Sequence, residues 1–219
     1  GTGGGATVDI VDPAAMATAS QARIDALRAA GRRTYVVPTG GSNPTGALGY
    51  VRCALELLDQ AREHGFELTD VVHATSSAGT QAGLLAGFAA FVSEPARRPT
   101  VHGINVYQDD HAALVTTVTD MARQLLDAHR PAVALDHDAV RIDSRHLGAG
   151  YGLPTRQTLE AVRLAASLEG VLFDPVYSGK ALGGLIAGIR AGEFAAVRDV
   201  VFIHTGGAAS LAVYDQAFG

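Results

Sequence analysis

The chain has very few cysteines and lysines: one of each among its 219 residues. A single cysteine excludes an intramolecular disulfide, so the sequence predicts a reducing compartment, the cytoplasm. Cys53 shares the helical spacing of its apolar neighbours, which indicates packing and not reactivity. The longest run of small and apolar residues, 82–92, is too short for a membrane span, which needs about 20 residues.

The sequence also lacks an excess of basic residues and a recognisable metal-ligand spacing. The formal net charge is −5, and its two arginine pairs are too short to follow a phosphate backbone, so nucleic acid is not an expected partner. The segments Asp109–His111 and Asp136–Asp138 contain no second His or Cys at ligand spacing. They are predicted to form turns and helix caps, and no metal is expected.

Apolar runs of strand length alternate with segments of helical period along the chain. The runs are continuously apolar, which is typical of strands buried on both faces of a parallel sheet. The sequence therefore predicts an α/β fold of three layers. The predicted strands are Val8–Val11, Tyr35–Pro38, Val71–Ala74, Val101–Val106, Ala139–Ile142, Val171–Phe173 and Val200–His204. The predicted helices are 14–30, 46–63, 80–92, 111–128, 156–168 and 179–191.

Caps and turn formers divide the chain further. Asp12 before Pro13, and Thr155 at the start of a capping-box-like stretch, mark helix starts. Turn-forming residues concentrate at 39–46, which indicates a domain boundary. Residues 1–45 are predicted to belong to a smaller lobe, and residues 46–219 to a large lobe.

The segment Thr75–Gln81 has the composition of an anion site. It follows a predicted strand, is rich in small hydroxylic residues, and opens a predicted helix. Backbone N–H groups and the helix dipole at such a place favour a phosphate, and the hydroxyls add donors. The segment has neither the Gly-Lys-Ser/Thr of a Walker loop nor the spaced glycines of a dinucleotide fingerprint. An ordinary capped helix start is the alternative.

Three other small-residue loops share this character: Gly40–Pro44, Gly148–Pro154 and His204–Ala209. Loops that follow the carboxyl ends of parallel strands share one edge of the sheet, where ligands bind, so we expect them to converge on one cleft. Ser42 or Asn43 could cap the next helix. His204 is predicted to be a hydrogen-bonded residue near the cleft, and a tyrosine on the second loop is often only a surface ring.

The only lysine, Lys180, ends the segment Phe173–Lys180, which also holds Tyr177, Ser178 and Gly179. This setting favours a functional segment. The alternative is a general preference for arginine, in which Lys180 is a leftover surface charge.

Five motifs, in this order, carry a resemblance to a known family: Gly40–Tyr50, Ser76–Gly83, Gly150–Thr155, Asp174–Ala181 and His204–Ala208. With them the chain resembles the D-cysteine desulfhydrase and 1-aminocyclopropane-1-carboxylate deaminase family. That family uses pyridoxal 5'-phosphate on fold type II, the tryptophan-synthase-β type. The resemblance covers nearly the whole chain from residue 6 onward. It implies that residues 1–45 are the end of the small domain and the crossover, and that residues 46–219 are the large domain that binds the cofactor.

The resemblance implies roles for particular residues. Tyr151 and Tyr177 would be the catalytic residues on the substrate side, and Ser178 would face the pyridine nitrogen. The residues that it assigns to cofactor binding are Ser76, Ser77, Ala78, Gly79, Thr80, Ser178, Thr205 and Gly206.

The residue at position 178 separates two activities within the resembled family. Deaminases have glutamate there, whereas desulfhydrase-like members have threonine or serine. A hydroxyl leaves the pyridine nitrogen largely unprotonated, which suits elimination of a good β-leaving group. Ser178 therefore favours a lyase that releases pyruvate, ammonia and sulfide from a small amino acid such as D-cysteine. Deaminase activity and a noncatalytic module that binds the cofactor or phosphate are the alternatives. Ser76 and Ala78 replace common family glycines.

In the resembled family, the lysine that forms the Schiff base lies before the region matched by residue 6, and Lys180 matches a different lysine. The resemblance therefore predicts that this chain is the C-terminal two thirds of a longer enzyme and is inactive alone. It also implies a homodimer and a small amino-acid substrate.

Overall fold

A computed structural model describes residues 6–136, 138–194, 196 and 199–218. The chain forms two compact units, Gly1–Val37 and Pro38–Gly219. The first contains helix α1 (Met16–Ala29), and the predicted cap at Asp12 is confirmed, since its carboxylate accepts a 2.8 Å hydrogen bond from Ala14 N.

The second unit contains a four-stranded parallel sheet in the order β3-β2-β1-β4. Its strands confirm four of the predicted ones, with small shifts at their ends. They are β1 (Asp70–Thr75), β2 (Thr100–Asn105), β3 (Arg141–Asp143) and β4 (Val200–Ile203).

The predicted strands Val8–Val11, Tyr35–Pro38 and Val171–Phe173 are wrong. In the described structure these segments carry no strand, and none pairs with the sheet. Each has the apolar composition of a strand, but a strand also needs a neighbour that satisfies its backbone groups.

All six predicted helices are confirmed within two residues at each end. Those of the second unit are α2 (Pro44–His64), α3 (Gly79–Phe91), α4 (His111–His129), α5 (Arg156–Glu169) and α6 (Ser178–Arg190). The side chains of Asn43, Asp110 and Thr155 cap α2, α4 and α5 by accepting hydrogen bonds from backbone N–H groups. The prediction that Asp109–His111 holds a helix cap is therefore confirmed at Asp110.

Helices cover both faces of the sheet. Val71 of β1 belongs to a core cluster with residues of α2, α3 and α4, whereas its neighbour Val72 packs with Ala181 and Leu185 of α6. Successive residues of a strand point to opposite faces, so this division places one helical layer on each side. The predicted three-layer α/β fold is confirmed.

Helices α2 and α3 approach each other closely because α3 has glycines at the contact. A β-carbon on Gly83 would lie 2.5 Å from the Ala47 carbonyl oxygen, and one on Gly87 would lie 2.5 Å from Ala54 Cβ. Because the two helices are in backbone contact, their N-terminal ends have a fixed separation.

His73, within strand β1, is fully buried. Its Nδ1 lies 2.8 Å from the Ala74 carbonyl oxygen, and its Nε2 has no hydrogen-bond partner among the described residues. Burial lowers the pKa of the imidazole to about 4 and outweighs the hydrogen bond, which acts in the opposite direction.

Candidate active site

A cavity of about 300 Å³ lies at the carboxyl ends of the strands. Residues 74–78 and Thr80, at the end of β1 and directly after it, form one wall, and residues 205–207, after β4, form another. Val106 after β2 and Tyr177 before α6 complete the lining. The predicted convergence of loops on one cleft is therefore observed for the loops that follow β1 and β4.

The loop after β1 makes a sharp entry into α3. Ala78 is the N-cap residue of this helix and has a positive φ of +73°, a region that non-glycine residues rarely adopt. The first N–H groups of α3 have no partner within the helix, and they lie at the positive end of its dipole. Ser77 and Thr80 add hydroxyls, so this wall can hold an anion.

A second polar turn supports this loop. Ser42 Oγ donates a 2.7 Å hydrogen bond to Ser77 Oγ, while Asn43 caps α2 by accepting from Gly46 N at 2.8 Å. A β-carbon on Gly79 would lie 2.9 Å from Ser42 Oγ. Of the two sequence candidates for the cap, Asn43 has that role and Ser42 joins the two turns.

One buried hydroxyl at the cavity is unpaired. Thr75 is 2% exposed and lines the cavity, yet its Oγ1 has no hydrogen-bond partner among the described residues. Leaving a buried polar atom unpaired is costly, so this atom indicates that the cavity accommodates a polar ligand.

The buried carboxylate of Asp174 organises the start of α6. Its Oδ1 accepts from the backbone N and the hydroxyl of Ser178 at 2.8 and 2.6 Å, and its Oδ2 accepts from Val176 N and Tyr177 N at 2.8 and 2.6 Å. These bonds fix Tyr177 at the cavity. Sequence analysis did not assign Asp174 a role; an aspartate four residues before a helix start was the available signal.

Ser178 is fully buried and does not line the cavity. Because its hydroxyl donates to Asp174, it cannot donate elsewhere in the same arrangement. The contact with a pyridine nitrogen stays a prediction.

Three tyrosines form a cluster at the cavity mouth. The hydroxyls of Tyr151 and Tyr177 are hydrogen-bonded to each other, and the ring of Tyr107 packs edge-on against Tyr151 with 4.9 Å between centroids. Burial, and then the hydrogen bond from Tyr151, raise the pKa of Tyr177. Tyr177 therefore keeps its proton at neutral pH.

Sequence analysis missed Tyr107 and the residue that positions it. Asn105, fully buried at the end of β2, accepts from Tyr107 N at 3.1 Å and from Gln108 N at 3.0 Å. This turn directs Tyr107 toward Tyr151. An asparagine at the end of an apolar strand was the only sequence signal for it.

Lys180 lies on α6, away from the cavity lining. Its side chain is buried, and its ammonium donates to the carbonyl oxygens of Leu147 at 2.7 Å and Gly150 at 3.4 Å. Burial lowers the pKa of this ammonium. Lys180 is therefore not a leftover surface charge.

Other sequence expectations concern histidine, metals and membranes. His204 Nε2 lies 2.9 Å from the Leu172 carbonyl oxygen, and its Nδ1 accepts from Gly206 N, as expected of a hydrogen-bonded residue near the cleft.

In the described part of the chain, no group of three or more His, Cys, Asp or Glu side chains could hold a metal ion. His137 lies outside the described residues. No described helix is long and apolar enough to cross a membrane.

The sequence matches the family described as "Pyridoxal-phosphate dependent enzyme" over residues 4–206. The chain belongs to this family. Two curated relatives match this chain over most of the chain's length. A D-cysteine desulfhydrase of Serratia proteamaculans (strain 568) is 40% identical over 189 residues, which cover 86% of this chain and 54% of the relative. A 1-aminocyclopropane-1-carboxylate deaminase of Burkholderia ambifaria (strain ATCC BAA-244 / DSM 16087 / CCUG 44356 / LMG 19182 / AMMD) is 38% identical over 198 residues, 89% of this chain and 56% of the relative.

A solved structure described as that of an ACC deaminase homologue has a TM-score of 0.82 and 27% sequence identity to this chain. The match covers 96% of this chain and 61% of that structure's chain. The predicted family, fold type and cofactor class are confirmed. The chain spans about half the length of the curated relatives it matches. The domain limits at 45 and 46, the homodimer and the cytoplasmic location stay predictions.

The residues of this chain fit the phosphate of the cofactor. The α3 N-terminus, the hydroxyls of Ser77 and Thr80 and the unpaired Thr75 Oγ1 all lie at one cavity. The covalent attachment does not fit, because the only lysine of the chain is bound to loop carbonyls outside the cavity lining.

Of the predicted site residues, Ser76, Ser77, Ala78, Thr80, Tyr177, Thr205 and Gly206 line the cavity. Gly79, Tyr151 and Ser178 do not line it. Gly79 and Ser178 are next to lining residues in the sequence, and Tyr151 is hydrogen-bonded to the lining residue Tyr177. Their individual roles stay predictions.

Proposed function

We propose that this chain forms the cofactor-phosphate and substrate-side part of a lyase of the D-cysteine desulfhydrase type. The reaction would be α,β-elimination from a small amino acid, giving pyruvate, ammonia and sulfide. The observation that carries the proposal is the start of α6, where a hydroxyl and not a carboxylate follows the cavity tyrosine Tyr177.

The phosphate would be held by the N-terminus of α3. Backbone N–H groups of the first turn and the hydroxyls of Ser77 and Thr80 are its expected donors, and Thr75 Oγ1 supplies another polar partner. When bound, the cofactor supplies an electron sink for negative charge at the substrate α-carbon.

Tyr151 and Tyr177 would hold a proton on the substrate side. In elimination from D-cysteine the bond between Cβ and sulfur breaks, its electron pair leaves with sulfur, and a proton completes hydrogen sulfide. Water then converts the remaining carbon skeleton to pyruvate and ammonia. Because the pKa of Tyr177 is raised, Tyr177 holds its proton at neutral pH, and its hydrogen bond to Tyr151 keeps the hydroxyl on the substrate side.

Removal of the α-proton needs a base, and the described lining of the cavity contains no carboxylate, imidazole or amine. In the proposal this base is a lysine from outside these 219 residues, since the ammonium of Lys180 is bound to Leu147 and Gly150. A noncatalytic module that binds phosphate or the cofactor is the second candidate, and the placement of Lys180 favours it.

The proposal is tested with protein produced from the complete coding sequence, loaded with pyridoxal 5'-phosphate. We expect pyruvate and sulfide from D-cysteine. Ring opening of 1-aminocyclopropane-1-carboxylate to 2-oxobutanoate, without turnover of D-cysteine, would show deaminase activity instead. Turnover of neither substrate, together with cofactor binding, would favour the noncatalytic module.

A direct control uses the 219-residue chain. We expect it to bind the cofactor without a covalent bond, so that borohydride reduction adds no cofactor mass to Lys180. A cofactor adduct on Lys180 would contradict both the placement of the base and the assignment of this lysine.

A further inference from the structure

The single lysine and the loop 147–153 are in direct contact. Lys180 is the third residue of α6, and its ammonium reaches back to the carbonyl oxygens of Leu147 and Gly150. Both carbonyls belong to residues that come just before Tyr151 in the loop.

This position is an unfavourable one for a lone cation. The first turn of a helix carries the positive end of the dipole, and a buried ammonium has lost its water. Loop carbonyls provide the compensation. If the loop moved away, the ammonium would lose both of these carbonyl partners, so the charge couples the loop to α6.

Tyr177 holds the same loop at a second point. It directly precedes α6, and its hydroxyl is bonded to that of Tyr151. The helix start thus contacts the loop twice, through Lys180 near the base of the loop and through Tyr177 near its tip. At the far side, Tyr214 donates from its hydroxyl to the Gly152 carbonyl oxygen at 3.0 Å.

We infer that Lys180 is a positioning residue that holds the 147–153 loop closed and so keeps Tyr151 paired with Tyr177. It acts through the loop and does not touch the cavity. This role goes beyond the proposed function and applies equally to a lyase, a deaminase or a noncatalytic module.

The test compares Lys180→Met and Lys180→Arg with wild type by hydrogen exchange and mass spectrometry, on the unliganded chain. We expect exchange of the amides in 147–153 to rise about tenfold or more in Lys180→Met, while those of α3 stay unchanged. Lys180→Arg retains the charge and should restore part of the protection. The control is Arg190→Met, which removes a cation from the same helix where it forms an exposed ion pair with Glu160.

A spectroscopic measurement separates positioning from simple stabilisation. Tyrosines of ordinary pKa ionise near pH 10. Tyr177 should ionise at a higher pH than this while it is paired and buried. In Lys180→Met and in Tyr151→Phe, Tyr177 should ionise at a lower pH than in wild type. A titration followed by the ultraviolet absorbance of tyrosinate measures this change. In Tyr151→Phe the effect is smaller, because burial persists.

The opposite results overturn the inference. One is a lower melting temperature with unchanged exchange in 147–153 and unchanged tyrosine ionisation. Another is a uniform rise in exchange along the chain. If Lys180→Met does not fold, Lys180→Arg alone decides between these outcomes. If neither variant folds, Lys180 supports the whole core and its role is not confined to the loop.

Discussion

Gly207 lies against the carboxylate of Asp174, so that a β-carbon on Gly207 would come within 2.5 Å of Asp174 Oδ1. The loop after β4 and the start of α6 therefore meet where Asp174 already fixes Tyr177 and Ser178. The wall formed by residues 205–207 and the lining residue Tyr177 therefore both adjoin Asp174.

We predict that Gly207→Ala is more damaging than Gly206→Ala. Both glycines have φ of +101°, so both variants carry backbone strain of about 1–3 kcal/mol. Only Gly207 meets a neighbour within 4 Å, and its variant must also displace Asp174. Denaturant unfolding and calorimetric titration with pyridoxal 5'-phosphate should show the larger loss for Gly207→Ala. Equal losses would mean that backbone strain alone decides.

We predict that Ala78→Gly costs less stability than Ala82→Gly. Both alanines are buried beside the same cluster, so each variant loses a similar methyl contact. Ala78 has a φ of +73°, which glycine adopts without strain, whereas Ala82 lies within α3. The free energy of unfolding should favour Ala78→Gly by about 1–2 kcal/mol. An equal cost would indicate that the loop holds no strain at Ala78.

We predict that Thr80→Val weakens phosphate binding. The variant keeps the shape of the side chain and removes a hydroxyl at the cavity, where a hydrogen bond to a charged group is worth about 1.5–3 kcal/mol. Affinity for inorganic phosphate or the cofactor should fall at least about tenfold by calorimetry. Thr116→Val is the control, because Thr116 is exposed on α4 and bonds only within its helix. Unchanged affinity in Thr80→Val would remove this residue from the anion site.

We predict that Ser178→Ala in the complete, cofactor-loaded protein lowers turnover more than cofactor affinity. The variant removes the hydroxyl that bonds to Asp174 beneath Tyr177 but leaves the α3 phosphate wall intact. Turnover should fall about tenfold or more, and the dissociation constant should change by less than about threefold. Ser167→Ala, on the exposed face of α5, is the matched control. Unchanged turnover would confine Ser178 to holding the start of α6.

We predict that His73 destabilises the fold in acid. Its pKa is lowered to about 4 in the folded state from an ordinary 6.5. Between these two pH values the unfolded chain binds a proton at His73 and the folded chain does not. Stability is retained above pH 6.5 and is lost as pH falls toward 4, by about 3 kcal/mol in total.

Urea unfolding at several pH values between 7 and 4 measures this loss. His73→Gln should flatten the dependence, whereas His64→Gln, at the exposed end of α2, should retain the wild-type dependence. The same slope in all three proteins would assign the acid sensitivity to other groups.

The sequence predicts the helices well and the site only in part. Helix starts are local, and Thr155 and Asn43 cap helices through bonds to residues three positions away. The apolar run Val171–Phe173 resembles a strand just as Val71–Ala74 does, but only the second finds neighbours on both sides. Pairing is a property of the tertiary structure and leaves no mark on a short apolar run.

The missed residues share this cause. Tyr107 was not predicted because its contact with Tyr151 joins segments far apart in the sequence, and Asn105 matters only through the turn that presents Tyr107. Ser42 and Ser77 likewise meet across 35 positions. The small-residue loops were evident, whereas the side chains that connect them were not.

The close contact of α2 with α3 through Gly83 and Gly87 gives the two sides of the cavity different freedom to diverge. The anion-binding side rests on backbone against backbone, where almost any larger side chain separates the helices. The opposite side consists of tyrosine rings on loops, which can be exchanged one at a time. Under the proposed function, changes at the tyrosines would alter the substrate side, while the packing of α2 against α3 would keep the proposed phosphate site unchanged.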